Sequence, residues 1–140
     1  MTPQSESRQE ADLDLPCGTI IFRLLTRSDS IDQDDPDVVQ PAAFTLRPGE
    51  EYLSAFIRDV CPLEVARTKL GGVKAVATLH VGRLRDMGLD VQRDPNDRMH
   101  AKIVGVLSEN DAPDEAPAIE GKLANHARIC WRRQITRLAI

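Results

Sequence analysis

The segment that most constrains the fold lies between Gly71-Gly72 and Gly82, where Val73, Ala75, Ala77, Leu79 and Val81 alternate with Lys74, Val76, Thr78 and His80. A period of two puts successive side chains on opposite faces of an extended chain, so this is a strand with one drier face. Such a face must be buried against a second layer. Other segments supply neighbours. Gly18 to Thr26 is short, apolar and β-branched, with Arg23 as its one interior charge, and reads as a central strand. Leu53-Ser-Ala-Phe-Ile57, the short piece Leu89-Asp-Val91 and Met99 to Leu107 are further extended segments. Val38 to Leu46 reads as a strand broken at Pro41.

Helical signals are fewer. Pro62 to Leu70 begins with proline and is followed by Gly71-Gly72, and Gly82 to Gly88 is long enough for about two turns, with Gly88 suited to the left-handed stop. From Ala118 to Ile140 the residues Ile119, Leu123, Ala127, Cys130, Trp131, Ile135 and Leu138 form a stripe interrupted by Gln134, which predicts an amphipathic C-terminal helix packed on the sheet. Asp94-Pro-Asn-Asp97 is turn chemistry. The expected architecture is α+β, a mixed or antiparallel sheet of about five strands with two short helices and that terminal helix. Residues 1–16 are expected to form a disordered arm, and 17–140 a single domain.

Composition narrows the classes. The chain has 140 residues, 41% hydrophobic and 29% charged, in the globular range. No apolar run approaches the length needed to span a bilayer, and the polar, acidic start does not resemble a signal peptide, so a cytoplasmic protein without a membrane partner is expected. Cys17, Cys61 and Cys130 form no CxxC pair and read as buried reduced thiols. Residues 1–60 carry 5 basic and 12 acidic side chains, whereas 121–140 carry 5 basic and none acidic. With a net charge of −4, nucleic acid is disfavoured as a partner except locally at the basic C-terminal segment.

Chemistry has few anchors. The chain contains no GxxxxGK[ST], GxGxxG, GxSxG or HExxH motif. Asp32 to Asp37 lacks the glycine and distal glutamate of a calcium loop, and the sequence specifies no metal and no cofactor. His80 and His100 fall on separate strands and would act as acid and base, or as two metal ligands, if those strands were adjacent. The third histidine, His126, has no assigned role. Neither His80-Val-Gly nor His100-Ala-Lys carries the hydroxyl of a two-histidine phosphoesterase motif. Cys61 at a helix start would have a lowered thiol pKa, but no base adjoins it in sequence.

Arg23 on the first strand and Ser54 on the second resemble the Arg- and Ser-bearing strands of R-S-E type ADP-ribosyltransferases. The resemblance covers two short segments and implies that Arg23 and Ser54 would hold a nicotinamide dinucleotide. No ExE or QxE motif follows, which leaves Glu109 as the candidate acid. Phe22-Arg-Leu-Leu, Pro41-Ala-Ala-Phe, Tyr52-Leu-Ser, Leu79 to Val91 and His100-Ala-Lys-Ile-Val-Gly together resemble a family of small bacterial proteins, to which no activity is attached.

Two functional expectations result. The first is an interaction or regulatory module that binds another protein, or itself as a homo-oligomer, through Arg128, Trp131, Arg132 and Arg133, since Trp and Arg concentrate binding energy at interfaces. The same residues also read as a solvated basic face. The second is a small enzyme acting on a nucleotide or nucleic acid, with Arg23, Ser54, His80 and His100 converging in one pocket.

Overall fold

The computed structural model describes residues 13–133. Its centre is a six-stranded sheet, antiparallel throughout: β1 (Ile20–Leu25), β2 (Leu53–Ile57), β3 (Ala75–His80), β4 (Asp90–Asp94), β5 (Asp97–Val104) and β6 (Arg128–Arg132), in the order β4-β5-β2-β1-β3-β6. The expected α+β class holds at this level, with three short helices: α1 (Leu63–Ala66), α2 (Val81–Asp86) and α3 (Ala116–His126).

The alternation in β3 sorts the core. Ala75, Ala77 and Leu79 join Ile21, Leu25, Leu53, Ile57, Ala101 and Ile103 on one face, covered by Phe44, Leu84 of α2 and Leu123 of α3. Val76 joins Phe22, Leu24 and Phe56 on the other, where Cys61, Ala66 and Val73 cover part of the sheet. The fully buried side chains, Phe44, Ile21, Leu79 and Leu123 among them, each contribute about 1.5–3 kcal/mol by leaving water.

The sequence expectations need several corrections. The predicted C-terminal helix ends at His126, and the chain then runs as strand β6; the rest of that predicted helix, from Gln134 on, lies outside the described residues. Arg128 closes the helix, its Nη1 donating to the carbonyls of Asn125, His126 and Ala127 at 2.6, 3.3 and 3.0 Å. Val38 to Leu46 is not a broken strand. Val39 makes a single bridge to Ile31, and Pro41–Phe44 is a 3₁₀ turn that buries Ala43 and Phe44. Of the expected N-terminal arm, residues 1–12 lie outside the described residues, but Asp14 bridges Gln92 beside β4 and Leu15 is buried in the core. Gly88 takes φ +87°, the left-handed conformation expected after α2. No helix among the described residues is long and apolar enough to cross a membrane.

Candidate functional site

Arg23, Ser54, His80 and His100 do not converge. Arg23 lies between Phe22 and Leu24, so its side chain leaves the sheet on the face of Ile21 and Leu25. There Nε and Nη2 donate to the Ala43 carbonyl at 3.1 and 3.0 Å, and Nη1 donates to the Ser54 carbonyl at 2.9 Å. Burial pulls the guanidinium down to about 10, which leaves it charged at neutral pH. The space beside it is about 30 Å³, room for a water and no substrate. Ser54 alternates with Leu53 and Ala55, so its hydroxyl lies on the opposite face. Arg23 and Ser54 thus meet through a backbone carbonyl, not as two side chains facing one ligand.

His100 on β5 and His80 at the end of β3 are separated by β2 and β1, three strand spacings, or roughly 14 Å. His100 is packed rather than poised over a cleft. Its Nδ1 lies 2.9 Å from Asp94 Oδ2, and its ring stands edge-on to Tyr52 and Phe56. The Asn96 backbone N–H, against burial and together with His100, holds the Asp94 carboxyl below its ordinary range.

The cysteines divide. Cys61 is buried as expected, and burial pushes its thiol up, away from an activated nucleophile. Cys17 and Cys130 are exposed, contrary to expectation.

The partner residues sit on an edge strand instead of a helix. Ile129 turns toward the first core, and Trp131 packs against the second with the Arg67 guanidinium 5.3 Å from its ring centroid. Arg128 and Arg132 are exposed on β6, and Arg133 follows it.

One cleft of about 680 Å³ gathers residues that the sequence left scattered: Cys17, Thr78, His80, Gly82, Arg83, Asp86, His126 and Arg128. It lies where β3 passes into α2, beside the end of α3. Two backbone bonds close its floor, Val81 N–H to Thr19 O at 3.0 Å and Gly82 N–H to Cys17 O at 2.9 Å. The His80 backbone N–H donates to His126 Nε2 at 3.2 Å, and the two rings are 5.5 Å apart. That acceptor role puts the proton of neutral His126 on Nδ1. Burial, and then the charges of His80, Arg83 and Arg128, hold His126 below the usual imidazole range.

The remaining cleft groups carry charge toward solvent. Arg83 makes no hydrogen bond or ion pair among the described residues, and Arg128, anchored through Nη1 alone, keeps Nε and Nη2 open. Neighbouring Arg85 is spent on Asp14, Asp90 and the Cys17 thiol, at 3.0, 3.1 and 3.2 Å. Among the described residues no three His, Cys, Asp or Glu side chains are placed to hold a metal ion.

The chain matches no protein-family model, no curated protein and no solved structure. Cys17, Thr78, Arg83, Asp86 and His126 were not singled out as site residues by sequence reasoning. One local signal was available: His80 and Arg83 lie three positions apart across a strand-to-helix junction, where pockets in α/β proteins commonly form.

Proposed function

We propose that this protein is a binding domain for a small anionic ligand, taken in the cleft at the end of β3. The observation that carries this reading is the guanidinium of Arg83, without a hydrogen bond or ion pair among the described residues, together with the half-anchored Arg128, in a cleft of about 680 Å³. That volume lies within the range of small-molecule sites. Guanidinium groups present donor forks that match phosphate and carboxylate oxygens, and Arg128, already held by three carbonyls, loses little freedom on binding. Burial is the main reason that His126 lies below the usual imidazole range, and the charges of Arg83 and Arg128 add to it.

A thermal-shift series with inorganic phosphate, sulfate and divalent cations tests this. Phosphate at a hundred times its dissociation constant should add about 2.7 kcal/mol of stability, and Arg83→Glu should abolish the gain. Cations that stabilise while anions do not would refute it.

A second reading keeps the interaction module, on the specific ground that no strand among the described residues pairs with the outer edge of β6. We propose that an acidic extended segment of another protein adds there, since an open edge offers unpaired N–H and C=O groups and Arg128, Arg132 and Arg133 favour negative charge. Antiparallel self-pairing centred on Cys130 would set Arg128 against Arg132 of a second copy, which costs stability. An acidic peptide that fails to bind, or binds Arg132→Glu equally well, would remove this reading.

A further inference from the structure

The cleft is not uniformly basic, and that shapes what it accepts. Asp86 lines it together with Arg83 and Arg128, and has no partner among the described residues. A compact polyanion filling the cleft would meet both arginines but also the Asp86 carboxylate, and the repulsion would offset part of the gain. A ligand with an anionic head and a hydroxyl-bearing body satisfies both signs: the head takes the guanidinium donors, and the hydroxyls donate to Asp86. Thr78 adds an acceptor. Its hydroxyl proton goes to the Arg128 carbonyl at 3.3 Å, which leaves its lone pairs toward the cleft.

The only rings in the lining are the small imidazoles of His80 and His126, which face each other at 5.5 Å. None of the eight residues is Phe, Tyr or Trp. Trp131 is packed into the second core under Arg67, and Tyr52 lies against His100 and beneath the Lys102 ammonium, beside β2 and β5 and away from the cleft. Proteins that hold nucleobases usually stack them on aromatic faces, a contact worth about 1–3 kcal/mol per base. No Leu, Ile, Val or Met side chain lines the cleft to receive an acyl chain; its apolar surface comes from Cys17, Thr78, Gly82 and the carbon atoms of the polar side chains.

We infer that the ligand is a phosphorylated polyol, a sugar phosphate or a close equivalent, with its phosphate on Arg83 and Arg128 and its hydroxyls on Asp86 and Thr78. The inference rests on the anion-binding reading above and specifies its ligand class. His126 takes no proton from the ligand in this arrangement, because Nε2 is committed to the His80 N–H. The His80 ring stands 5.5 Å from it and, with no hydrogen bond to another of the described residues, can donate to a phosphate oxygen.

The test is calorimetric titration of the full chain at constant ionic strength with ribose 5-phosphate, inorganic phosphate, adenosine monophosphate and ribose. Asp86 and Arg83 are exposed, so Asp86→Asn and Arg83→Ala leave the core intact. Ribose 5-phosphate should bind at least about tenfold more tightly than phosphate, and ribose should not bind measurably. Asp86→Asn should weaken ribose 5-phosphate by about tenfold while leaving phosphate unchanged or tighter, and Arg83→Ala should weaken both. Equal affinity for phosphate and ribose 5-phosphate, with no effect of Asp86→Asn on the difference, would overturn the ligand class while leaving the anion site standing. Tighter binding of adenosine monophosphate than of ribose 5-phosphate would overturn it too, by assigning energy to a base. Failure of every phosphate compound to bind would overturn both readings.

Discussion

Replacing Arg23 by methionine separates a structural role from a ligand-binding one. The two side chains are similar in length, so the substitution removes the charge and the donors more than the volume. It strips the Ala43 carbonyl of two N–H donors and the Ser54 carbonyl of one. Each buried acceptor left without a partner costs about 1–3 kcal/mol, and part of this returns because a buried guanidinium no longer has to be desolvated. The net loss should be about 3 kcal/mol. The register between β1 and β2 is confined to Ile21↔Ile57 and Phe22↔Phe56, so Arg23 ties the strands together just past the point where they part. It also secures the 3₁₀ turn that places Phe44 in the core. Thermal unfolding followed by circular dichroism should show a fall of about 10 °C in Tm, with phosphate affinity unchanged at a temperature where the variant is folded. A variant as stable as the wild type that no longer bound its ligand would refute this argument and return Arg23 to a functional site.

Gly82→Ala should cost about 1–3 kcal/mol in urea unfolding and weaken phosphate binding, because the new Cβ would lie 3.0 Å from the Cys17 carbonyl oxygen and 3.2 Å from Cys17 Cβ on the cleft wall. His126 is held below the 6.5 of a free imidazole by burial and by His80, Arg83 and Arg128, so the unfolded chain binds its proton first. Stability that depends on neutral His126 is therefore fully present above pH 6.5 and lost as pH falls below it through the lower folded-state value, and His126→Gln should flatten this part of the urea-midpoint profile. Burial, opposed by the Thr45 hydroxyl and reinforced by the neighbouring Glu109 carboxyl, raises the Glu120 carboxyl, and Glu120 Oε2 is buried with no partner among the described residues in hydrogen-bond geometry. The sign is opposite here: the ionised form costs stability as pH rises above 4.5, so Glu120→Gln should raise Tm at neutral pH by an amount that shrinks toward pH 4.5.

Much of the sheet is legible in the sequence because its signals are local. The alternation in 73–81 defines β3, Gly88 stops α2, and Asp94-Pro-Asn-Asp97 turns β4 into β5, with the Asn96 N–H bonded to Asp94 Oδ1 at 2.9 Å. The terminal segment misled because Ile119, Leu123 and Ala127 have true helical spacing, which Cys130 and Trp131 then continue by coincidence. Arg128-Ile-Cys-Trp-Arg132 carries the competing signal, an exposed and half-buried alternation, but five residues are short evidence against a longer stripe. The 3₁₀ turn at Pro41–Phe44 depends on Arg23, a partner twenty residues away in sequence. The cleft was beyond reach for a similar reason. It is assembled from Cys17, the end of β3, α2, His126 and the first residue of β6, so no motif spacing records it. Arg23 and Ser54, which do look like a pair, are joined through a carbonyl that sequence reasoning cannot orient.

The three histidines make the most direct test, because two line the cleft and the third lies across the sheet. Titrating inorganic phosphate into the protein while following the imidazole resonances by NMR reads all three in one sample. If the cleft is the anion site, His80 and His126 shift together and saturate, while His100, locked against Asp94, stays still. Saturable shifts at His100 alone, or no saturable shift at His80 and His126, would contradict the account.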